Sequence, residues 1–391
     1  MARWWRGRSR DDEGPTGPEP APGSGRAAES APGGGPAWVV TLGDGEGNEQ
    51  EIARVGIPPE QYYGMRADAA LDRLGPDHPE TLTAFRDYAR VLARTPEHRA
   101  EACERMAEVA RAQWRVLGPD HPETLVTSAD LADLLQATGE LNRAEAGWRS
   151  VWNARAERLG RDHGDTLAAA VRLAEVLEAL HRVPEGTAVR RDVLERRRLA
   201  LGPGHPDTLG AANGHAMSLI KGDRWEEAER ELRELIGLLE RQPGRDEEIL
   251  MSARGNLGAA LCRLGRLREA RSVLRSVLAD RERTKGPDHR DTLSVRNNLA
   301  AVLHAEGRYR EAAAELRAVA AADVRVHGEG ALETLRVLDN LANVLIDAGD
   351  RQEAARLLRG CLDGYRRILG PSHPLPRAAA ERLDWLRDNP S

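Results

Sequence analysis

Six histidines recur in register, at His78, His121, His163, His205, His289 and His373, and imidazoles in series invite a metal reading. Each lies in a copy of one nonamer, clearest as LGPDHPETL at 74–82 and 117–125. A helical array advances by roughly 10 Å per repeat, so successive imidazoles are too far apart to share an ion. Their expected role is loop packing, and no metal or other cofactor is expected. Asp130 and Asp133 lie about one helical turn apart and could share a proton with a substrate, and Cys262 could meet His215 as a thiol–imidazole pair. No motif backs either reading. The glycine-rich GDGEGNE at 43–49 lacks the flanking helix and the lysine of a phosphate loop, and His215 stands where other copies carry leucine, the place of a core histidine. No catalytic residue is assigned.

The elements that hold these residues follow from the period. Nonamers begin at 74, 117, 159, 201, 285, 327 and 369, and the copy due near 243 survives as QPGRDEEIL. A second row, Ala102, Ala144, Gly186, Ala228, Ala270, Ala312 and Ala354, keeps a strict 42-residue step, as does a third: Tyr88, Asp130, Arg172, Gly214, Asn256, Asn298 and Asn340. A period in this range means a stack of supersecondary units. Between nonamers, apolar residues recur at three-, four- and seven-residue steps on both sides of a short turn such as Glu306-Gly307-Arg308, which predicts a pair of amphipathic helices. In the nonamer, Gly75 or Gly118 is expected to end a helix in a left-handed conformation. Asp77 or Asp120 is expected to cap the next, with Glu80 or Glu123 completing a capping box and Pro79 or Pro122 in the first turn. Two copies depart from the pattern. HRVPEGTAV at 181–189 puts Pro184 and Gly186 near a helix start, and an extra residue is expected around Lys221-Gly222-Asp223.

Composition narrows the class. In 391 residues, 57 Lys and Arg against 63 Asp and Glu leave a net charge of −6, so nothing points to nucleic acid. Aromatics at 4 % disfavour a β-sandwich. Cys103, Cys262 and Cys361 are too few and too dispersed for a disulfide framework, which suits a reducing, cytoplasmic setting. No apolar run reaches the roughly 18 residues of a membrane span, and no signal peptide is read. Residues 1–37 read as a disordered tail rich in Pro and Gly, and 38–58 as a short β-hairpin across Gly43-Asp44-Gly45 or a lid. Residues 59–74 and 375–388 read as capping helices around seven tandem pairs at 80–368, the last burying Ala379, Leu383 and Leu386 with Trp385 at the edge of that stripe.

The stretch NNLAAVLHAEGRYREAAAELRAV at 297–319 and the GPDHPETL linkers resemble tetratricopeptide repeats in the 42-residue variant of the kinesin light chain family. Leu299, Ala300, Gly307, Tyr309, Glu311 and Ala312 stand at the signature places. The resemblance implies an all-α fold, a right-handed alpha-alpha superhelix, with the first helix of each pair lining a concave groove. Its register would place Asn256, Asn298, Asn340, Asn343, Arg254, Arg263, Arg336, Lys221, Arg172, Asp130 and Asp133 along that groove. Related grooves use asparagine in this row to hold a peptide backbone, for which an amide has donors and an acceptor, while arginines suit acidic side chains. The expected function is therefore a scaffold or adaptor capturing an extended, partly acidic peptide or protein segment. An enzyme or small-molecule site enclosed by the superhelix and a self-assembly module, with a homo-oligomer as product, remain as alternatives.

Overall fold

The computed structural model describes residues 38–43, 49–55 and 58–389; the tail at 1–37 and the turn between the strands lie outside the described residues. Strands β1 (Trp38–Gly43) and β2 (Glu49–Val55) pair antiparallel from Trp38↔Val55 to Gly43↔Glu49, with an irregularity between Val39 and Thr41. All other elements are helical. The chain divides into two compact units, one ending at His181 and the other beginning at Arg182. The first holds the hairpin and helices α1 (Pro59–Leu74), α2 (Pro79–Leu92), α3 (Arg99–Leu117), α4 (Pro122–Ala137), α5 (Leu141–Leu159) and α6 (Gly164–Ala179). The second holds α7 (Val183–Leu201), α8 (Pro206–Lys221), α9 (Trp225–Glu240), α10 (Glu247–Arg263) and α11 (Leu267–Lys285). It continues with α12 (Arg290–Ala305), α13 (Tyr309–His327), α14 (Leu332–Ala348), α15 (Arg351–Leu369) and α16 (Pro374–Asp388).

The nonamer is the joint between a long second helix and the next first helix, and its chemistry differs from the sequence expectation. The cap is the histidine. Nδ1 of His78, His121, His163, His205, His289 and His373 accepts the amide N–H two residues on, at 3.2–3.3 Å. The aspartate before it faces an arginine of the following repeat instead, as in Arg115–Asp77 and Arg325–Asp288. The glycines do take positive φ, but with ψ near 160° (Gly160, φ 93°, ψ 158°), a mirror-β conformation open essentially to glycine alone rather than left-handed α. The nonamer threonine, fully buried, ties the new helix back to the old: Thr166 Oγ1 donates to the Gly160 carbonyl and Thr292 Oγ1 to Gly286, both at 2.8 Å.

The degenerate fifth linker keeps its function by other means. Asp246 caps α10 by accepting the Ile249 amide at 3.0 Å. Beneath it, Arg281 of α11, its side chain only 5 % exposed, bonds Glu248 at 2.6 Å, while Lys285 bridges Glu248 and Asp291 at 2.7 and 2.6 Å. Four charges from three helices thus replace the missing His-Pro joint. α14 has Ala331 at its N-cap and no side-chain cap at all.

Inside each pair, alanines 42 residues apart let the helices close: Ala144, Ala228, Ala270, Ala312 and Ala354 have no exposed surface. The turn within the pair carries a glycine of positive φ at Gly139, Gly265, Gly307 and Gly349, and at the same register His181 (φ 60°) and Asp223 (φ 55°). No residue is inserted near Lys221; Asp223 simply holds a glycine's place. Nor do Pro184 and Gly186 interrupt α7, where the proline sits in the first turn. A side chain at positive φ costs about 1–2 kcal/mol, and glycine returns about 0.5–1 of that through the entropy of the unfolded chain. His181→Gly is therefore expected to stabilise by about 0.5–1 kcal/mol and Asp223→Gly by less, since aspartate tolerates this region better. Denaturant titration measures both, and a loss of stability in either would refute the strain.

The first helix of the first unit and the last helix of the second carry charge at places where other helices bury apolar side chains. α16 carries Arg377, Asp384 and Arg387 where α14, 42 residues earlier, buries Leu335, Ala342 and Leu345. α1 exposes Arg66 at the position where α3 buries Val109 and α15 buries Cys361. Ala379 and Leu386 of α16 are buried, Leu383 is half-buried, and Trp385 lies at the edge under the Arg351 guanidinium, 5.5 Å from its ring centroid.

Candidate binding face on the first helices

The polar residues expected to face a ligand are placed on the first helices of the pairs, and five of the eleven, Asp130, Asp133, Arg172, Asn256 and Asn343, bond to a neighbouring first helix. In the first unit, Arg90 of α2 bonds Asp130 of α4 at 2.7 Å, and Asp133 of α4 bonds Arg172 of α6. Arg172 also meets Glu175 at 2.6 Å and lies over the Trp148 ring. Burial pushes the Asp130 carboxyl up against the opposing pull of Arg90. Burial works to lower the Arg172 pKa, but the hydrogen bonds and charges of Asp133 and Glu175 together outweigh it and the pKa rises. The two aspartates are thus ion-pair partners of separate arginines rather than a proton-sharing pair.

In the second unit, Asn256 donates to Asn213 Oδ1 at 3.1 Å, and Asn213 donates to the Ser252 hydroxyl at 3.1 Å. Arg382 of α16 donates to Asn343 Oδ1 and clasps the buried Asp339 at 2.7 and 3.0 Å. These contacts obey one rule. A residue of the row containing Asp130, Arg172, Asn256 and Arg382 is met by the residue 39 or 43 positions earlier on the previous first helix, or 40 across the longer first interval. For Asn298 those positions hold Ala259 and Gly255, and for Asn340 they hold Ala301 and Asn297. Half-buried Asn298 and exposed Asn340 make no hydrogen bond to a described side chain, Asn340 in spite of Asn297 standing where Asn213 meets Asn256.

The arginines divide similarly. Arg254 bonds Glu240 at 2.7 Å; Arg263 stacks 5.0 Å from the Trp225 ring centroid, with Asp223 3.8 Å away; exposed Arg336 has no ion pair among the described residues. Lys221 is exposed at the end of α8. Between α12 and α14 a pocket of about 200 Å³ is lined by Asn297, Asn340, Asn343, Ala300, Ala301, His304, Leu316 and Val344. A larger hollow of 670 Å³ at the turns around Gly265 is walled by Arg266, Arg271, Arg308, Glu269 and Glu306, which pair with one another or with nearby acids.

The chemistry of catalysis is not assembled from the other candidates. His215 is buried against Glu231, Nδ1 to Oε2 2.7 Å, and burial pushes the Cys262 thiol up. Burial likewise raises Cys361, to about 12, where its Sγ donates to the Leu335 carbonyl. Among the described residues no group of three metal-ligating side chains occurs, and no helix is long and apolar enough to cross a membrane.

Family models for the tetratricopeptide repeat match residues 248–323, 166–207 and 334–375, on the helix pairs and joints just described. The chain carries tetratricopeptide repeats. No curated protein matches the sequence significantly. Among solved structures, a tetratricopeptide repeat protein from Parabacteroides merdae is similar over 83 % of this chain and 97 % of its own, at 12 % identity and a TM-score of 0.51, and shares the helical-repeat fold. A kinesin light chain-type protein of Podosopora anserina with nearly identical TPR-like repeats is 23 % identical over 53 % of this chain and 98 % of its own, with a TM-score of 0.44. Rap protein complexed with Competence and Sporulation Factor is 11 % identical over 85 % of this chain and 99 % of its own, at 0.44. In tetratricopeptide terms, the bonded Asn213–Asn256 pair and the open Asn297/Asn340 pair occupy the same places in two repeats.

Proposed function

We propose that this chain is a scaffold or adaptor that captures an extended peptide or protein segment on the first helices of its second unit. One observation carries the reading: Asn298 and Asn340 keep their amides unspent in a row where Asp130, Arg172, Asn256 and Arg382 are bonded to a neighbouring helix. A side-chain amide offers two donors and an acceptor, the complement of a peptide unit. Arg336, on α14 with Asn340 and without an ion pair among the described residues, would meet an acidic side chain of that segment, whereas Arg254 and Arg263 are held by Glu240 and by Trp225. In the first unit the corresponding charges neutralise one another, which leaves less for a partner.

The test uses a random-sequence peptide library panned on the immobilised full chain. The double variant Asn298→Ala/Asn340→Ala is expected to lose affinity for the selected peptides by about tenfold or more, the worth of one or two hydrogen bonds. Its melting should move little, because neither side chain hydrogen-bonds another side chain among the described residues. Undiminished capture by the double variant would show that the amides are not the contact. Asn256 is left intact, since its loss would break the bond to Asn213.

A further inference from the structure

We infer that the hollow between α12 and α14 is a specificity pocket for one short, uncharged aliphatic side chain of the captured segment. The inference rests on the peptide-binding reading above and adds to it which residue of the segment is selected, and where. Three observations converge. First, the rung that closes this place elsewhere is missing. Asn213 and Asn256 bond directly at 3.1 Å between α8 and α10, yet Asn297 and Asn340, 84 residues further on, stand apart around open space. Ala301 supplies no polar partner where Asp133 and Asn343 supply one in other repeats.

Second, the lining is divided by chemistry. Ala300, Leu316 and Val344, each no more than 3 % exposed, line it with hydrocarbon, while Asn297, Asn340 and Asn343 bring amides. Arg382 takes Oδ1 of Asn343, which leaves its NH2 as a donor. His304 completes the lining with Nε2 directed at Asp347, 2.6 Å away. No Asp, Glu, Lys or Arg lines the space, so a charged side chain entering it would lose water without gaining an opposite charge. A neutral aliphatic side chain would cover the hydrocarbon while the amides take the flanking peptide groups.

Third, size limits the occupant. At about 200 Å³ the space falls below the roughly 300 Å³ at which pockets for whole drug-sized ligands begin. Valine, isoleucine, leucine or methionine suits it better than tryptophan.

The peptide pool selected on the wild-type chain is the probe. Expected is one fixed position occupied by Val, Ile, Leu or Met. Synthetic peptides from that pool should lose about tenfold in affinity when this residue becomes Gly, Asp or Trp. Ala301→Asn, which rebuilds the rung with a residue found at the same place in the next repeat, should cost about the same. Ala259→Asn, which rebuilds the rung opposite Asn298, should leave the selected residue unchanged. A pool with no aliphatic position, or peptides indifferent to Ala301→Asn while still lost with Asn298→Ala/Asn340→Ala, would overturn the pocket and leave the binding reading standing. A chain that enriches no peptide at all would overturn both. Circular dichroism confirms that each variant keeps its helices.

Discussion

Alanine at all six capping histidines, His78, His121, His163, His205, His289 and His373, is expected to remove about 3–6 kcal/mol from the summed stability of the chain. Each cap satisfies one orphan amide, for which side-chain truncation costs about 0.5–1 kcal/mol at a partly exposed site, and sites this far apart add. That sum is a large share of the roughly 5–15 kcal/mol that holds a typical folded domain. The companion variant with asparagine at the same six positions is expected to keep most of it, because the amide oxygen can accept the same N–H. Denaturant titration followed by circular dichroism distinguishes them. Equal losses with alanine and asparagine would mean that imidazole packing, not the accepted hydrogen bond, is what the joint requires.

Arg281→Ala is expected to cost about 2 kcal/mol. Removing one partner of a buried ion pair costs about 3–5 kcal/mol, and the lower figure applies here because the Glu248 side chain is 55 % exposed and can turn to water. Arg281→Met, which keeps the packing of the stem, should lose about half as much. The loss should also depend on pH. Burial acts to raise the Glu248 pKa, but hydrogen bonds from Arg281 and Lys285 overcome it and hold the carboxyl below its usual range. Asp291 is lowered chiefly by its bond to Lys285. Carboxylates depressed in the folded state contribute stability above their unfolded pKa and lose it as pH falls through the folded value. The gap between wild type and Arg281→Ala should therefore be widest near neutrality and shrink in acid. A gap that is the same at both would leave the loss to packing alone.

The helical-repeat fold was legible because two rows of small and polar residues kept a strict 42-residue step beside the nonamer. The hairpin was legible from apolar segments around a glycine-rich turn. The cap was misread, although its signal was present. Proline at the first helical position makes the residue before it the N-cap, and that residue is His78 or His121, not Asp77 or Asp120. The mirror-β glycines were out of reach in detail, since sequence announces positive φ but not ψ.

The candidate face was legible as a row and not as a site. Asn256 and Asn340 look alike in sequence, and what separates them is whether the residue on the preceding helix reaches across. That spacing of 39 or 43 follows from how the helices cross, which no single repeat encodes. Arg254 and Arg263 were drawn off by Glu240 and Trp225, neighbours that belong to the second helix of a pair. Leu316, which lines the pocket, also comes from a second helix, outside any row of first-helix residues.

The charged outermost helices bear on how such a gene can change. Arg66 on α1 and Arg377, Asp384 and Arg387 on α16 stand where other helices bury apolar side chains, while successive nonamers keep one register. Recombination between the coding segments of two nonamers, 42 residues apart, would add or delete an entire pair without altering either of those helices. Copy number is then a heritable variable, and new pairs would arise as duplicates whose polar rows are free to diverge.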